Sequence, residues 1–138
     1  RVRLLRDGDV APAIATTHPE AGIDMLLGVG GSRQGIMTAA ALRCAAGDMQ
    51  ARLIARNPEE ADRARSCGIR DLAKVYTIEE MAAGSVMFAG TGVTHGDYLR
   101  GVRFYRGGAT THSVVMRSRT HTIRFLTSNH RFDLKPEY

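Results

Sequence analysis

Tryptophan is absent, tyrosine and phenylalanine number four each, cysteine appears twice, and no apolar run is long. Each scarcity excludes something. Cys44 and Cys67 lie 23 positions apart, in no CxxC pair and with no histidine at ligand spacing. That pattern argues against a zinc site and cannot build a disulfide framework. Two buried, reduced thiols are expected. The longest apolar runs, residues 25–29 and 39–42, fall far short of a membrane span. No basic segment precedes an apolar one as in a secretory leader. A soluble, cytoplasmic protein with no membrane partner is therefore expected. Acidic residues are missing altogether between Tyr98 and Phe132, where Arg100, Arg103, Arg106, Arg117, Arg119, Arg124 and Arg131 fall. Such a stretch attracts nucleic acid or an anionic substrate, or is the solvated face of a sheet. With aromatics at 6% and no interleaved stacking platform read there, single-stranded nucleic acid is disfavoured and no nucleic-acid partner is expected.

What is present is ordinary for a globular chain: 138 residues, 43% hydrophobic and 24% charged, with a formal net charge of +5. That length suits one domain. The chain opens on Arg1 rather than Met, as expected of a trimmed protein or part of a longer one.

Short apolar segments alternate with capped helices over the first two thirds. Residues 2–5 read as a strand, stopped by Asp7-Gly8-Asp9, with Asp9 as N-cap of a helix over residues 10–17. Residues 23–29 read as a strand buried on both faces. Gly30-Gly31-Ser32 turns it into a helix over residues 33–46, ended by Gly47 in the left-handed conformation. Residues 49–55 form the next strand. Asn57-Pro58-Glu59-Glu60 opens a helix that stops at Gly68, and Thr77-Ile78-Glu79-Glu80 opens a short one closed by Gly84. A short buried strand follows over residues 86–89. Beyond it, residues 102–105, 111–117 and 122–127 are strands with no helix between them, Ile123, Phe125 and Thr127 sharing one face and Arg124 and Leu126 the other. The expected fold class is α/β, a layered mixed sheet with helices packed on it.

Three segments carry candidate chemistry. Gly28-Val29-Gly30-Gly31-Ser32-Arg33-Gln34-Gly35 places glycines before a helix, where free N–H groups and the positive dipole end form an anion site. It is neither a Walker loop nor a full GxGxxG, and such a turn is often only a turn. Asp7-Gly8-Asp9 holds two carboxylates able to take a metal or sugar hydroxyls; a turn plus a cap explains Asp9 as well, but not Asp7. Gly90-Thr91-Gly92-Val93-Thr94-His95-Gly96-Asp97 sits where ligand loops lie in α/β folds, although His95 has no evident partner. His112 and His121 carry no spacing signature.

Taken in order, DGDVAPAI (residues 7–14), GVGG followed by QG (28–35), AAALRCAAGDMQARL (39–53), VMFAGTGVTHGDYLRGVRF (86–104) and TTHSVVMRSRTHTIRF (110–125) resemble the C-terminal part of class II fructose-1,6-bisphosphatases. The family includes the bifunctional fructose-1,6-/sedoheptulose-1,7-bisphosphatases. The resemblance covers nearly the whole chain. It implies the C-terminal half of a sugar-phosphatase fold related to inositol monophosphatases, hydrolysing the 1-phosphate of fructose 1,6-bisphosphate with Mg²⁺ or Mn²⁺, and a homo-oligomer in full-length form. By the same resemblance Asp7, Gly8, Asp9 and Gly31 meet the substrate, and Gln34 stands where the family pattern GIGGAPEG has a metal-binding Glu. A neutral amide offers a hard cation an oxygen but no charge, and Arg33 beside it adds repulsion if turned inward. The family also has Pro at the position of Arg6 and usually Gly at those of Ala51 and His121. Its members are about twice as long, with most metal-binding carboxylates in the other half. No catalytic residue is therefore expected in this chain, nor bisphosphatase activity from it alone. A degenerate, non-catalytic sugar-phosphate binding subunit is the alternative.

Overall fold

The computed structural model describes residues 1–5 and 8–134. Their elements run α1 (Val10–Ala15), α2 (Ser32–Cys44), β1 (Gln50–Arg52), α3 (Pro58–Ser66), β2 (Val75–Thr77), α4 (Ile78–Met81), β3 (Met87–Thr91), β4 (Arg103–Tyr105), β5 (Gly108–Arg117) and β6 (Thr122–Arg131), with 3-10 turns at Pro19–Ala21 and Phe132–Leu134.

Helix α2 is the element around which the others pack. Its run of small residues, Thr38 to Ala41, lets neighbours approach on two sides. Ala41 and Cys44 meet Ile14 of α1 and Val114 and Met116 of β5. Ala39 and Leu42 meet Ile78 and Ala82 around α4. Full burial of side chains such as Ile14, Val114 and Met116 contributes about 1.5–3 kcal/mol each. Arg43 closes the second contact by donating from Nη1 to the Ala82 carbonyl.

Helix α3 starts as its sequence dictates, with the Asn57 side chain accepting the Glu60 N–H at 2.8 Å. It ends on Gly68 at φ +90°, with the Ile69 N–H donating to the Ala64 carbonyl at 3.0 Å. Helix α4 carries the expected capping box, in which Thr77 and Glu80 each accept the other's backbone N–H. The end of α2 differs from expectation. Ala46, at φ 58°, is the left-handed residue, and Gly47 follows it, donating to the Leu42 carbonyl at 2.8 Å. Gly47 is needed for space instead: a Cβ there would lie 2.7 Å from Thr17 Cγ2 and 3.1 Å from Leu42 Cδ2.

All strand pairings among the described residues are antiparallel, so the expected mixed sheet is corrected to an antiparallel one. β1 pairs with β2 through Ala51 and Tyr76. In the larger sheet β5 is central: β3 and β4 share one flank, and β6 lies along the other in register from Gly108–Arg131 to Arg117–Thr122. β1 is shorter than expected, and β2 was not foreseen. β3 alternates exposed and half-buried residues instead of being buried throughout. The larger corrections fall at residues 2–5 and 23–29. Neither forms a strand, and most of their large apolar side chains are exposed. The thiols also divide, Cys44 being buried and Cys67 exposed. Burial pushes the Cys44 thiol up, while its Sγ donates to the Val86 carbonyl at 3.5 Å.

No helix among the described residues is long and apolar enough to cross a membrane.

Candidate functional site

Gly31 is the N-cap of α2, in extended conformation, and no side chain caps the helix. The first-turn N–H groups of Ser32, Arg33 and Gln34 therefore have no intrahelical acceptor. All three residues are exposed, and no acid stands in that turn. With the positive end of a 13-residue helix behind them, these amides favour an anion.

Asp9 comes to this same place. It precedes α1, but its side chain makes no capping hydrogen bond, contrary to the expected N-cap role. Its carboxylate lies over Gly30 instead: a Cβ on Gly30 would meet Asp9 Oδ2 and come within 3.2 Å of Asp9 Cγ. Gly30 is thus a residue whose missing side chain makes room for a carboxylate. One position on, the Gln34 side chain folds back over Gly31, its Cδ 3.3 Å from where a Cβ would be. The structure thereby joins Asp9, Gly30, Gly31 and Gln34 across 25 positions of sequence. Gly8 adjoins Asp9, at φ +85°. Asp7 lies outside the described residues, as does Arg6.

The charges sort the ligand. A carboxylate repels phosphate and accepts hydroxyl protons, whereas open helix amides do the reverse. Placed side by side they suit a molecule carrying both a phosphate and hydroxyl groups. A metal is a different matter. Among the described residues, no three His, Cys, Asp or Glu side chains stand close enough to hold one. Gln34 brings no charge, and Arg33 next to it brings the wrong one. The described residues do not by themselves make a divalent-cation centre.

The third sequence segment does not join this site. Residues 91–102 close on themselves, with the Val102 N–H donating to the Val93 carbonyl at 3.1 Å and the Gly96 N–H to the Leu99 carbonyl at 3.0 Å. A Cβ on Gly101 would lie 2.6 Å from the His95 nitrogen, so the loop is drawn tight there. His95 itself faces solvent. The segment reaches the site's neighbourhood through Thr91, Tyr98 and Leu99. With Val10, Ile14, Phe88 and Val114 these line an apolar groove of about 170 Å³. His112 accepts the Arg100 N–H on Nδ1 at 3.2 Å and stacks on Phe125, and His121 sits in the β5–β6 turn at φ 47°.

A ring cluster was missed in the sequence. His18, Tyr98 and Phe125 stand 5.4–6.1 Å apart, beside a concavity of about 250 Å³ that Glu20 and Asp97 also line. Aromatic residues thus do gather in the arginine-rich region. No local signal announces it, since its members come from separate segments. Burial raises the Tyr98 hydroxyl's pKa. Asp97 is held at 2.8 Å by Arg3, an exposed pair contributing at most about 1 kcal/mol.

Open helix amides beside a carboxylate suit the chemistry of sugar phosphates, and sequence comparison places the chain in a family whose description names a sugar bisphosphatase. The family model for bacterial fructose-1,6-bisphosphatase, glpX-encoded, matches residues 1–130, and the chain belongs to that family. Two curated relatives are named D-fructose 1,6-bisphosphatase class 2/sedoheptulose 1,7-bisphosphatase. The one from Synechococcus sp. (strain JA-3-3Ab) is 40% identical over 147 positions, covering 96% of this chain and 42% of the relative. The one from Microcystis aeruginosa (strain NIES-843 / IAM M-2473) is 40% identical over 152 positions, covering 100% and 44%. The chain therefore spans less than half the length of these relatives.

Proposed function

We propose that this chain supplies the sugar-phosphate wall of a class II bisphosphatase acting on the 1-phosphate of fructose 1,6-bisphosphate, as the C-terminal part of a longer unit. The observation that carries the reading is the Asp9 carboxylate resting on Gly30 beside the open amides of α2. The amides of Ser32, Arg33 and Gln34 take phosphate oxygens, and Asp9, with Asp7 by family likeness, accepts sugar hydroxyls. The exposed Arg33 guanidinium draws the anion in. Mg²⁺ or Mn²⁺ belongs to this reading only with ligands from outside the chain. No residue among those described is offered as nucleophile or general base. The 138-residue chain alone turns over no fructose 1,6-bisphosphate above a metal-only blank; steady turnover by it overturns this part of the reading.

The decisive measurement on the chain as it stands is a titration with fructose 1,6-bisphosphate followed by amide NMR. Shifts centred on residues 30–34, weakened in Asp9→Asn, support the wall. Shifts elsewhere only, or none at millimolar ligand, refute it.

The neutral Gln34 favours a second reading, a binding subunit that has lost catalysis. Gln34→Glu in a chain completed with the rest of a relative separates the two. Raised metal affinity and activity mark the enzyme; no change in either marks the binding subunit.

A further inference from the structure

Two stretches of the chain outside any helix or strand hold large apolar side chains in solvent. Met25, Leu27 and Val29 are 71%, 85% and 74% exposed, and Val2 and Leu4 are 87% and 89% exposed. Leu5 is exposed as well, at 41%, and among residues 23–29 only Ile23 and Leu26 are half-buried. Neither residues 2–5 nor residues 23–29 make a backbone hydrogen bond among the described residues. Unprotected strand edges in folded proteins are blunted with charge, lysine or proline. Residues 23–29 contain no proline or lysine and only one charge, Asp24. A bare apolar stretch of this kind is built to be covered.

We propose that residues 2–5 and 23–29 are strand-pairing seams for the polypeptide that corresponds to the unmatched part of the curated relatives, either joined to this chain or separate from it. The occupant follows from proportion: the chain spans 42–44% of those relatives, so more than half of a family member lies outside the match. It follows also from position. Residues 23–29 run straight into Gly30 and Gly31, so a strand paired there fixes the turn on which Asp9 rests. Pairing at the seam and order at the helix start are then one event. The seam rests on family membership and exposure, not on the sugar-phosphate reading, because amide protection needs neither ligand nor turnover.

The chain is co-expressed with the unmatched part of the Microcystis relative, and in parallel fused to it by a flexible linker; hydrogen exchange is then measured on each. A 1:1 complex, or a fusion, in which amides 23–29 exchange at least about tenfold more slowly than in the chain alone is the expected result. Protection in both forms admits a separate partner, and protection in the fusion only assigns the joined source. Leu27→Asp abolishes the protection. Val93→Asp, at an exposed apolar position on the loop after β3, leaves it intact. Thermal melts of each variant alone check that neither has unfolded the chain. Fast exchange at 23–29 in both forms overturns the seam, as does equal damage from the two variants. A dimer of the chain alone that protects these amides overturns the assigned occupant in favour of a second copy.

Discussion

Ala46 and Gly47 provide a sharp test, because exchanging their assignments reverses the sign expected for Ala46→Gly and changes the origin of the cost of Gly47→Ala. If Gly47 were the left-handed residue, Gly47→Ala would cost backbone strain and Ala46→Gly would merely loosen the helix end. The structure gives Ala46 the positive φ of 58°. An L-residue pays about 1–2 kcal/mol for that conformation. Glycine there relieves it but adds unfolded-state freedom, an opposing term of about 0.4–1 kcal/mol. Ala46→Gly should then stabilise by roughly 0.5–1 kcal/mol. Gly47→Ala acts through packing: its Cβ would sit 2.7 Å from Thr17 Cγ2, about 1 Å inside ordinary carbon contact. Thr17 also donates its hydroxyl to the Ile14 carbonyl at 2.7 Å, so it does not swing aside freely. Overpacking of this sort costs about 1–3 kcal/mol. Urea unfolding of the wild type and both variants measures the two differences. Stabilisation by Gly47→Ala, or destabilisation by Ala46→Gly of 0.5 kcal/mol or more, refutes the geometry. The outcome bears on the site, since the Thr17–Gly47 contact ties the end of α1 to the end of α2 while Asp9 and Gly30 meet near their starts.

His121→Gly should stabilise by about 0.5–1 kcal/mol for the same backbone reason, read as a rise in Tm. Met116→Ala should cost about 2–5 kcal/mol in chemical denaturation, because Met116 is fully buried and its Sδ accepts the Tyr98 hydroxyl at 3.8 Å. The hydrogen bond to Lys74 holds the Glu80 carboxyl below its ordinary value of 4.5. A depressed carboxyl stabilises the fold above its unfolded pKa and stops doing so as pH falls through the folded one. The stability difference between wild type and Glu80→Gln should therefore persist at neutral pH and shrink below about pH 4.5, and a constant difference down to pH 2 contradicts it.

Much of the fold was legible where local chemistry decides it. Asn57-Pro58 and the Thr77–Glu80 pair start their helices as written, because a cap needs only neighbouring residues. The late strands appear near their expected positions, although β5 starts three residues earlier and β6 runs four residues further than expected. Residues 23–29 show the opposite case. Their apolar run signals burial, but burial needs a partner, and none is present among the described residues. In the site, the glycine turn was readable as the start of a helix, α2. Asp9 was readable both as a cap and as a carboxylate for a ligand; it makes no side-chain cap hydrogen bond, its backbone being helical at φ −76° and ψ −34°, which no spacing encodes. The ring cluster of His18, Tyr98 and Phe125 was invisible for want of any sequence proximity.

Strand β5 is hydrogen-bonded along both flanks, to β3 and β4 on one side and to β6 for its full ten residues on the other. The last amides to open in this chain are therefore those of β5, and its unfolding is that of the sheet as a whole. The glycine turn draws nothing from that ladder. Substitutions at Asp9, Gly30, Gly31 or Gln34 can rework the proposed ligand wall while the ladder behind it keeps its free energy of opening. The reverse holds too: damage at Val114 or Met116 takes the wall down with everything else, however sound its own residues are.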